Sequence, residues 1–509
     1  MNADERQGQN RGPEEHETQR ASRHNRITID PVTRLEGHGK IEIFLNDQGR
    51  VENAYLQVPE LRGFEKFCEG RRAEDMPQLT SRICGVCPVA HHMAAVKALD
   101  ACFGVEPTPL ARKLRELTYA GYYIYDHILH FFFLGGPDFI VGPEAPKEKR
   151  NILGVIEKVG LELAKEVIKH RAYGQKMTEL LGGKPTHPVC GLPGGMTKGL
   201  TEESRQEMET MARSCEGFAL KTLEIFHALV LGNKDYLALI RNPKFAPRVY
   251  NMGLVDGQNR VNFYDGQVRV TDPEGKEFVK FDPQDYLDHI AEQVLEWSYV
   301  KVPYLKAVGY QGLRDGKDSG LYRVGPLGRL NAADGLATPK AQAEYEKFVT
   351  TLGPKPVNNT LAYHWARLIE LLYATERAIE LATEPEITGT DYRNMDFHPT
   401  GKGVGIVEAA RGTLIHHYET TEDMLVKRVN LIVATTNNKG VINMSVRDAA
   451  RELIRNGKAT EGLLNTVEMF FRAYDPCFGC ASHSFGSIAL EVTVRDASGA
   501  VVDIIRNQE

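Results

Sequence analysis

The sequence lacks long hydrophobic runs. The nearest, Ile128 to Leu134, is short and is interrupted by His130, well below the eighteen or so apolar residues of a membrane span. No apolar core of a secretory signal stands near the first residue. Neither sign of charge prevails. The 62 Lys and Arg against 68 Asp and Glu give a net charge of −6, which makes no electrostatic case for nucleic acid. Eight cysteines in 509 residues are too sparse for a disulfide scaffold. Internal repeats and low-complexity linkers are missing. These absences favour a soluble cytoplasmic protein and exclude a channel, a secreted mini-protein and a disordered chain.

What is present is ordinary globular material, 42% apolar and 26% charged, enough for a large core. Residues 1–26 are almost wholly polar or charged and are expected to be disordered, with order beginning at Arg26-Ile27-Thr28-Ile29. Residues 40–45 and 51–58 read as two strands joined by the turn Asn46-Asp47-Gln48-Gly49. Val89 to Cys102 is small and apolar, as a closely packed helix would be. Thr108 caps a long helix from Pro109 to about Leu134. Residues 148–181, 201–232, 284–299 and 358–383 carry apolar residues at helical spacing. Residues 248–282 break that rhythm with short alternating runs and Asp-Gly turns, a small β insertion. The expected fold is α+β and predominantly α. It is a large helical body with a long-helix bundle, an N-terminal β-hairpin at a sheet edge and a small β insertion. Residues 27–483 form the main domain, between the N-terminal extension and an extension at 484–509.

The cysteine positions carry the chemistry. Cys84-Gly85-Val86-Cys87 and Cys477-Phe478-Gly479-Cys480 are two Cys-x-x-Cys clamps whose leading cysteines lie 393 residues apart. Two clamps make a four-thiolate pocket. Structural zinc, redox dithiols and a catalytic metal centre all fit the cysteines alone. Zinc ribbons, however, place their pairs roughly 15–20 residues apart, and this site needs the whole fold. The surroundings suit proton and electron chemistry. Arg82 precedes the first clamp, and His91 and His92 follow it. Asp475-Pro476 precedes the second, and His483 follows it. Asp126 and His130 share a helix face. Cys68, Cys102, Cys190 and Cys215 have no such partners and read as buried small hydrophobes.

On these residues the chain resembles the large subunit of nickel–iron hydrogenases. Its blocks are Arg34-Leu35-Glu36-Gly37-His38, Arg62-Gly63-Phe64-Glu65, Arg82-Ile83-Cys84-Gly85-Val86-Cys87 with His91, and Asp126-His127 with His130. Then follow Gly182-Gly183-Lys184 with His187-Pro188, Glu408-Ala409-Ala410-Arg411-Gly412, Leu431-Ile432-Val433-Ala434-Thr435-Thr436-Asn437, and Asp475-Pro476-Cys477-Phe478-Gly479-Cys480 with His483. The resemblance runs from about residue 27 to 483.

The resemblance implies a nickel–iron centre for reversible, heterolytic H2 cleavage. Cys84 and Cys477 would be terminal nickel ligands. Cys87 and Cys480 would bridge to an iron that carries carbon monoxide and cyanide. Glu65, the Leu431 carbonyl and His483 would bind Mg2+. Arg411 would lie over the metals, paired with Asp126 and Asp475, and Thr435 would hydrogen-bond a cyanide, with His91 close behind the thiolates. Arg is a poor base, so Cys477 is the expected proton acceptor and Glu36 the onward carrier. The bland alternative for Glu36 is a salt bridge with Arg34. Mature subunits of the family end at the histidine matching His483. A maturation protease is therefore expected to cut between His483 and Ser484. The tail beyond, with strand-like 488–494 and 500–505 around Asp496-Ala497-Ser498-Gly499, is a retained edge of the fold in the other reading.

Ala410, Ala434 and Asn437 depart from the Pro, Pro and Trp of periplasmic, membrane-linked members. The chain is more similar to the soluble cytoplasmic branches. Those couple H2 to NAD(P), a deazaflavin, ferredoxin or heterodisulfide reduction. Gly191-Leu192-Pro193-Gly194-Gly195 reads as a loop and lacks the third glycine of a dinucleotide fingerprint. Any nucleotide is thus expected on another subunit, and the iron–sulfur wires on a small hydrogenase subunit. An H2-sensing subunit with the same centre is the alternative. A non-hydrogenase relative in a respiratory complex would lack the cysteine clamps.

Overall fold

Turn chemistry and alternation build the first sheet. In the computed structural model, β1 (Arg26–Ile29), β2 (Lys40–Leu45) and β3 (Val51–Gln57) form an antiparallel meander. Ile41, Ile43 and Leu56 are buried within it. The structure describes residues 26–483 and the strands Glu491–Arg495 and Val501–Arg506. The disorder expected for the N-terminal extension lies outside the described residues.

Cys87 leads into α1 (Pro88–Cys102), with proline at its first position. This helix is buried on nearly every side, and its buried polar residues include His91, His92 and Asp100. Next come α2 (Pro109–Leu129), α3 (Leu161–Gly182), α4 (Glu202–Phe226) and α5 (Tyr363–Thr383). The Thr108 side chain accepts from Ala111 N–H and caps α2 as expected. At its far end α2 passes into a π-helical turn, His130–Gly135. The stretch 148–181 is broken at Gly160, whose φ of 88° ends one helix before α3 begins.

The β insertion is β4 (Tyr250–Val255), β5 (Gln267–Thr271) and β6 (Glu277–Phe281), an antiparallel ladder with the short strand Tyr322–Arg323 on its edge. The helix expected over 284–299 does not form. One turn, Tyr286–His289, gives way to β7 (Ile290–Leu295), which pairs antiparallel with β8 (Ser298–Leu305). A short apolar stretch does not distinguish helix from strand by periodicity, and the Val- and Tyr-rich partner at 298–305 decides the matter. The Gly191-to-Gly195 segment is a tight hairpin, Gly191–Leu192 against Gly195–Met196, rather than a loop.

A sheet that the sequence did not announce positions the site. Strands β9 (Lys402–Ala409), β10 (Gly412–Thr420) and β11 (Val426–Ile432) run antiparallel. Val404 to Ala409 is buried on both faces, so it reads as a continuous apolar run without alternation. The sheet lies directly on α1. A Cβ at Gly403 or Gly405 would stand 2.2 Å from Ala98 O or 2.0 Å from Ala94 O, so only glycine permits this approach. The helices α6 (Ala434–Leu453) and α7 (Glu461–Arg472) follow, and a single turn, Phe478–Ala481, carries the second clamp. The main core runs from Val32 to Ala481, and a smaller cluster joins the β insertion to β9–β11. The two tail strands pair with each other in the hairpin expected from their alternation.

Candidate metal centre

The N-terminal end of α1 presents Cys84 and Cys87, and the turn before Phe478–Ala481 presents Cys477 and Cys480. A single parallel β-bridge, Glu36 to Cys477, brings the chain ends together. Phe478 N–H donates to the Glu36 carbonyl at 2.9 Å. Asp475 takes a left-handed φ of 58° just before the clamp. Arg62 spans both clamps, donating to the carbonyls of Ile83 at 2.6 Å and Gly479 at 2.9 Å.

The sulfurs converge as the sequence requires. Cys84 Sγ lies 3.6 Å from Cys477 Sγ, Cys87 Sγ 3.5 Å from Cys480 Sγ, and Cys477 Sγ 2.8 Å from Cys480 Sγ. All four sulfurs are buried and lie within 4.8 Å of one another. Metal–sulfur bonds of about 2.3 Å suit such spacings. Hydrogen bonds from the other three thiols hold Cys84 well below its ordinary pKa, whereas burial pushes Cys477 and Cys480 up. Four soft donors that otherwise share protons among themselves fit a thiophilic metal pair. Cys68, Cys102, Cys190 and Cys215 are buried elsewhere, each pushed up to about 12 by its surroundings' low polarity.

Three further groups surround the sulfurs. The Cys477 thiol donates to Glu36 Oε2 at 2.8 Å, and Gly479 N–H donates to the same oxygen at 2.9 Å. Burial and the nearby Cys84 charge raise the Glu36 pKa, against these hydrogen bonds. Arg34 pairs with Asp138 instead, so the salt-bridge alternative for Glu36 is not formed. Arg411 reaches Asp126 Oδ2 with Nη1 at 3.1 Å and Asp475 Oδ1 with Nη2 at 3.2 Å. Burial pushes Asp126 up, and Arg411 pulls it back. Thr435 Oγ1 accepts from Cys477 N–H at 2.9 Å, leaving its own hydroxyl hydrogen free to donate. A narrow cleft is lined by Cys87, His91, Arg411, Thr435, Cys477 and Cys480. His91 Nδ1 sits 3.1 Å from His416 Nε2, and burial pushes His91 down to about 4.

A second cluster lies behind Cys480. His483 places Nδ1 against the Cys480 carbonyl and Nε2 against the Leu431 carbonyl, both at 2.5 Å, with Glu65 Oε1 3.6 Å from Nε2. Carbonyls only accept, and a neutral imidazole has one N–H. The second contact therefore needs a proton or a cation, and Glu65 favours either. Burial opposes the charged forms, but the His483–Glu65 pair holds His483 above and Glu65 below its ordinary range.

Not every expected residue joins the site. Arg82 is exposed, and His92 serves as an internal tie, accepting from Gly191 N–H at 2.9 Å. His130 Nε2 donates to the Arg472 carbonyl at 2.9 Å rather than to Asp126. Sequence reasoning assigned no role to Arg62, to Glu292 and Lys301 beside Glu65, or to buried Arg329. Arg329 binds Glu370 at 2.6 Å, Glu408 at 2.7 Å and the Ala409 carbonyl at 2.9 Å, which fixes the turn before Arg411. The motif blocks contain Arg62 and Glu408, but the partners lie too far along the chain for spacing to reveal them.

Among the described residues, no helix is long and apolar enough to cross a membrane. A family profile described as nickel-dependent hydrogenase matches residues 62–151 and 253–483, and one described as HoxL-like matches residues 26–61. The chain is 47% identical over 484 residues to an F420-non-reducing hydrogenase iron-sulfur subunit from Archaeoglobus profundus, covering 95% of this chain and 99% of that one. It is 38% identical over 497 residues to the beta chain of the NAD-reducing hydrogenase HoxS of Cupriavidus necator, covering 94% and 99%. The crystal structure of an NAD+-reducing [NiFe]-hydrogenase in the H2-reduced state superposes with a TM-score of 0.82 at 39% identity, over 90% of this chain and 99% of that one.

Proposed function

The chain belongs to the nickel-dependent hydrogenase family and is an oxidoreductase acting on H2, and from that premise we propose what each of its residues does. Cys84, Cys87, Cys477 and Cys480 would hold the nickel–iron centre. Cys84 and Cys477 would serve nickel, and Cys87 and Cys480 would serve both metals. When bound, the centre supplies the electrophile that makes heterolytic H2 cleavage accessible.

Cys477 Sγ receives the proton. The acceptor for its next move is Glu36 Oε2, 2.8 Å away and the only carboxylate oxygen in contact with that sulfur among the described residues. Gly479 N–H keeps that oxygen aimed at the thiol. Arg411 stays charged between Asp126 and Asp475 and stabilises negative charge over the cleft, since its very high pKa suits an electrostatic partner better than a base. The free hydroxyl hydrogen of Thr435 would be the donor to a cyanide ligand of an iron that also carries carbon monoxide. Glu65, the Leu431 carbonyl and His483 would hold Mg2+, since a cation between His483 Nε2 and the Leu431 carbonyl would satisfy two acceptors that otherwise face each other. Imidazole is an unusual ligand for that ion. His91 supports the sulfurs from behind.

This subunit works with an iron–sulfur small subunit that carries electrons away. Further subunits hold an NAD(P), deazaflavin, ferredoxin or heterodisulfide acceptor, since this chain has no dinucleotide fingerprint. The complex acts in the cytoplasm. A maturation protease removes residues after His483.

The observation that carries this reading is the convergence of four thiols from opposite chain ends, with Glu36 on Cys477. The test is nickel and iron content of the purified complex together with H2 oxidation by an artificial electron acceptor. Near-stoichiometric metal with turnover is expected, and loss of both in Cys480→Ser. A metal-free complex that still turns over H2 would overturn it.

A further inference from the structure

Buried polar atoms nearly always find partners, and each exception asks for an explanation. Among the described residues, fourteen buried side-chain nitrogens or oxygens have none, and half of them belong to Arg411 with its partners Asp126 and Asp475, to Arg367 and His130, which bond the adjoining carbonyls of Ala473 and Arg472, and to His364 beside His130. They are Asp126 Oδ1, Asp475 Oδ2, Arg411 Nε, Arg367 Nε and Nη1, His130 Nδ1 and His364 Nδ1. Asp475 Oδ2 is at ion-pair distance from Arg411 but is not aligned for a hydrogen bond.

Arg367 is the anomaly. It projects from α5 with no exposed surface and, among the described residues, forms no ion pair and makes one hydrogen bond, from Nη2 to the Ala473 carbonyl at 3.0 Å. Asp475, Glu370, Arg411 and Asp126 are all within its electrostatic reach. An isolated buried guanidinium is very unfavourable unless its N–H groups are met.

The backbone nearby is shaped around two imidazoles. The π turn at His130–Gly135 sets His130 against His364, with ring centroids 5.5 Å apart. A Cβ at Gly135 would stand 2.5 Å from His364 Cε1 and 2.8 Å from His130 Cε1. Any other residue would push the rings out of the cluster. Such π turns recur at functional sites. Since the Arg472 carbonyl takes the Nε2 hydrogen of His130, His130 Nδ1 is an acceptor.

The ligand class follows from the unmet atoms. The guanidiniums offer hydrogens, whereas the carboxylate oxygens and His130 Nδ1 offer lone pairs. A simple anion would satisfy the first set and be repelled by the second, and a cation the reverse. Water does both. We propose that buried water meets the unpartnered atoms of Arg367, Arg411, Asp126, Asp475, His130 and His364, and that it fixes the free oxygens of the two carboxylates that aim Arg411. Arg367 is thereby a positioning residue acting through water on the lid of the metal centre. The inference rests on the assignment of Arg411 to that lid.

The test is a high-resolution structure of the metal-loaded complex, compared with its Arg367→Met and Arg367→Lys variants. Ordered waters are expected within hydrogen-bond distance of Arg367 Nε and Nη1 and of both free carboxylate oxygens. In Arg367→Met they should be lost, with nickel content and KM for H2 unchanged, kcat down about tenfold, and the nickel paramagnetic resonance g-values shifted. Arg367→Lys should retain the waters and most of the turnover. A dry cluster in the wild type, or Arg367→Met with wild-type kcat and g-values, would overturn the proposal. If Arg367→Met fails to fold, the wild-type waters and Arg367→Lys decide it. Absence of nickel from the wild-type complex would instead sink the metal-centre reading.

Discussion

Replacing Arg411 by lysine removes geometry while keeping charge. The guanidinium is 3% exposed and spans two carboxylates, at 3.1 Å to Asp126 and 3.2 Å to Asp475. A single ammonium on a flexible stem cannot occupy both nitrogen positions. At least one charge-assisted hydrogen bond is lost, worth about 1.5–3 kcal/mol. The carboxylate left behind is buried and unpaired, which costs about 3–5 kcal/mol in comparable settings. If the smaller figure is expressed in the barrier, kcat for H2 oxidation falls about 10- to 100-fold. The assay is turnover with an artificial acceptor on the purified complex, with nickel per chain and the denaturation midpoint measured on the same sample. Nickel should be retained, turnover should fall, and stability should drop. Arg411→Lys with full nickel and more than half the wild-type kcat would refute the reasoning, because the two-carboxylate fork would then be dispensable.

Glu36→Gln should keep both metals and lose H2 turnover by about 100-fold or more, since the amide cannot accept a proton from Cys477. Near-normal activity at normal metal content removes Glu36 from the proton route. Gly479→Ala tests the same point sterically, because its Cβ would stand 2.6 Å from Glu36 Oε1; turnover should fall with nickel retained, and unchanged kcat would show that the aim of Glu36 is irrelevant. Arg329→Met should destabilise the fold by about 3–5 kcal/mol in chemical denaturation, as it strands Glu370 and Glu408 in the core; a loss under about 1 kcal/mol contradicts this. Burial alone would raise Glu344, but hydrogen bonds from His227 and Trp365 hold it at about 2. Its folded pKa lies below its ordinary 4.5, so its stabilisation is complete above about pH 4.5 and is lost as pH falls toward 2. Glu344→Gln should therefore be less stable than wild type at pH 6, with the gap closing toward pH 2. A gap that does not depend on pH would be the wrong result.

Much was legible along the chain because local rules operate locally. Asn46-Asp47-Gln48-Gly49 between alternating segments, and Thr108-Pro109 ahead of α2, specify a hairpin and a capped helix by chemistry within a few residues. The strand pair at 290–305 escaped, because a short apolar stretch satisfies helix and strand spacing alike and only the neighbouring strand chooses. The β9–β11 sheet escaped because strands buried on both faces lose their alternation.

The four converging thiols were marked by the sequence alone. Cysteine pairs three apart have a meaning that survives any distance between the pairs, since soft ligands need a common ion. Glu36 and Arg411 became visible only through a family resemblance, because a single carboxylate or guanidinium carries no spacing signal, whereas His483 was marked by its place just after the second clamp. Tertiary structure decided the rest. It chose Cys477 and not Arg34 as the partner of Glu36, through a β-bridge across the whole chain. It made Arg62 the tie between the clamps and gathered unpaired atoms around Arg367. These contacts join residues hundreds of positions apart, and their energies arise from burial, which no residue possesses until the chain has folded around it.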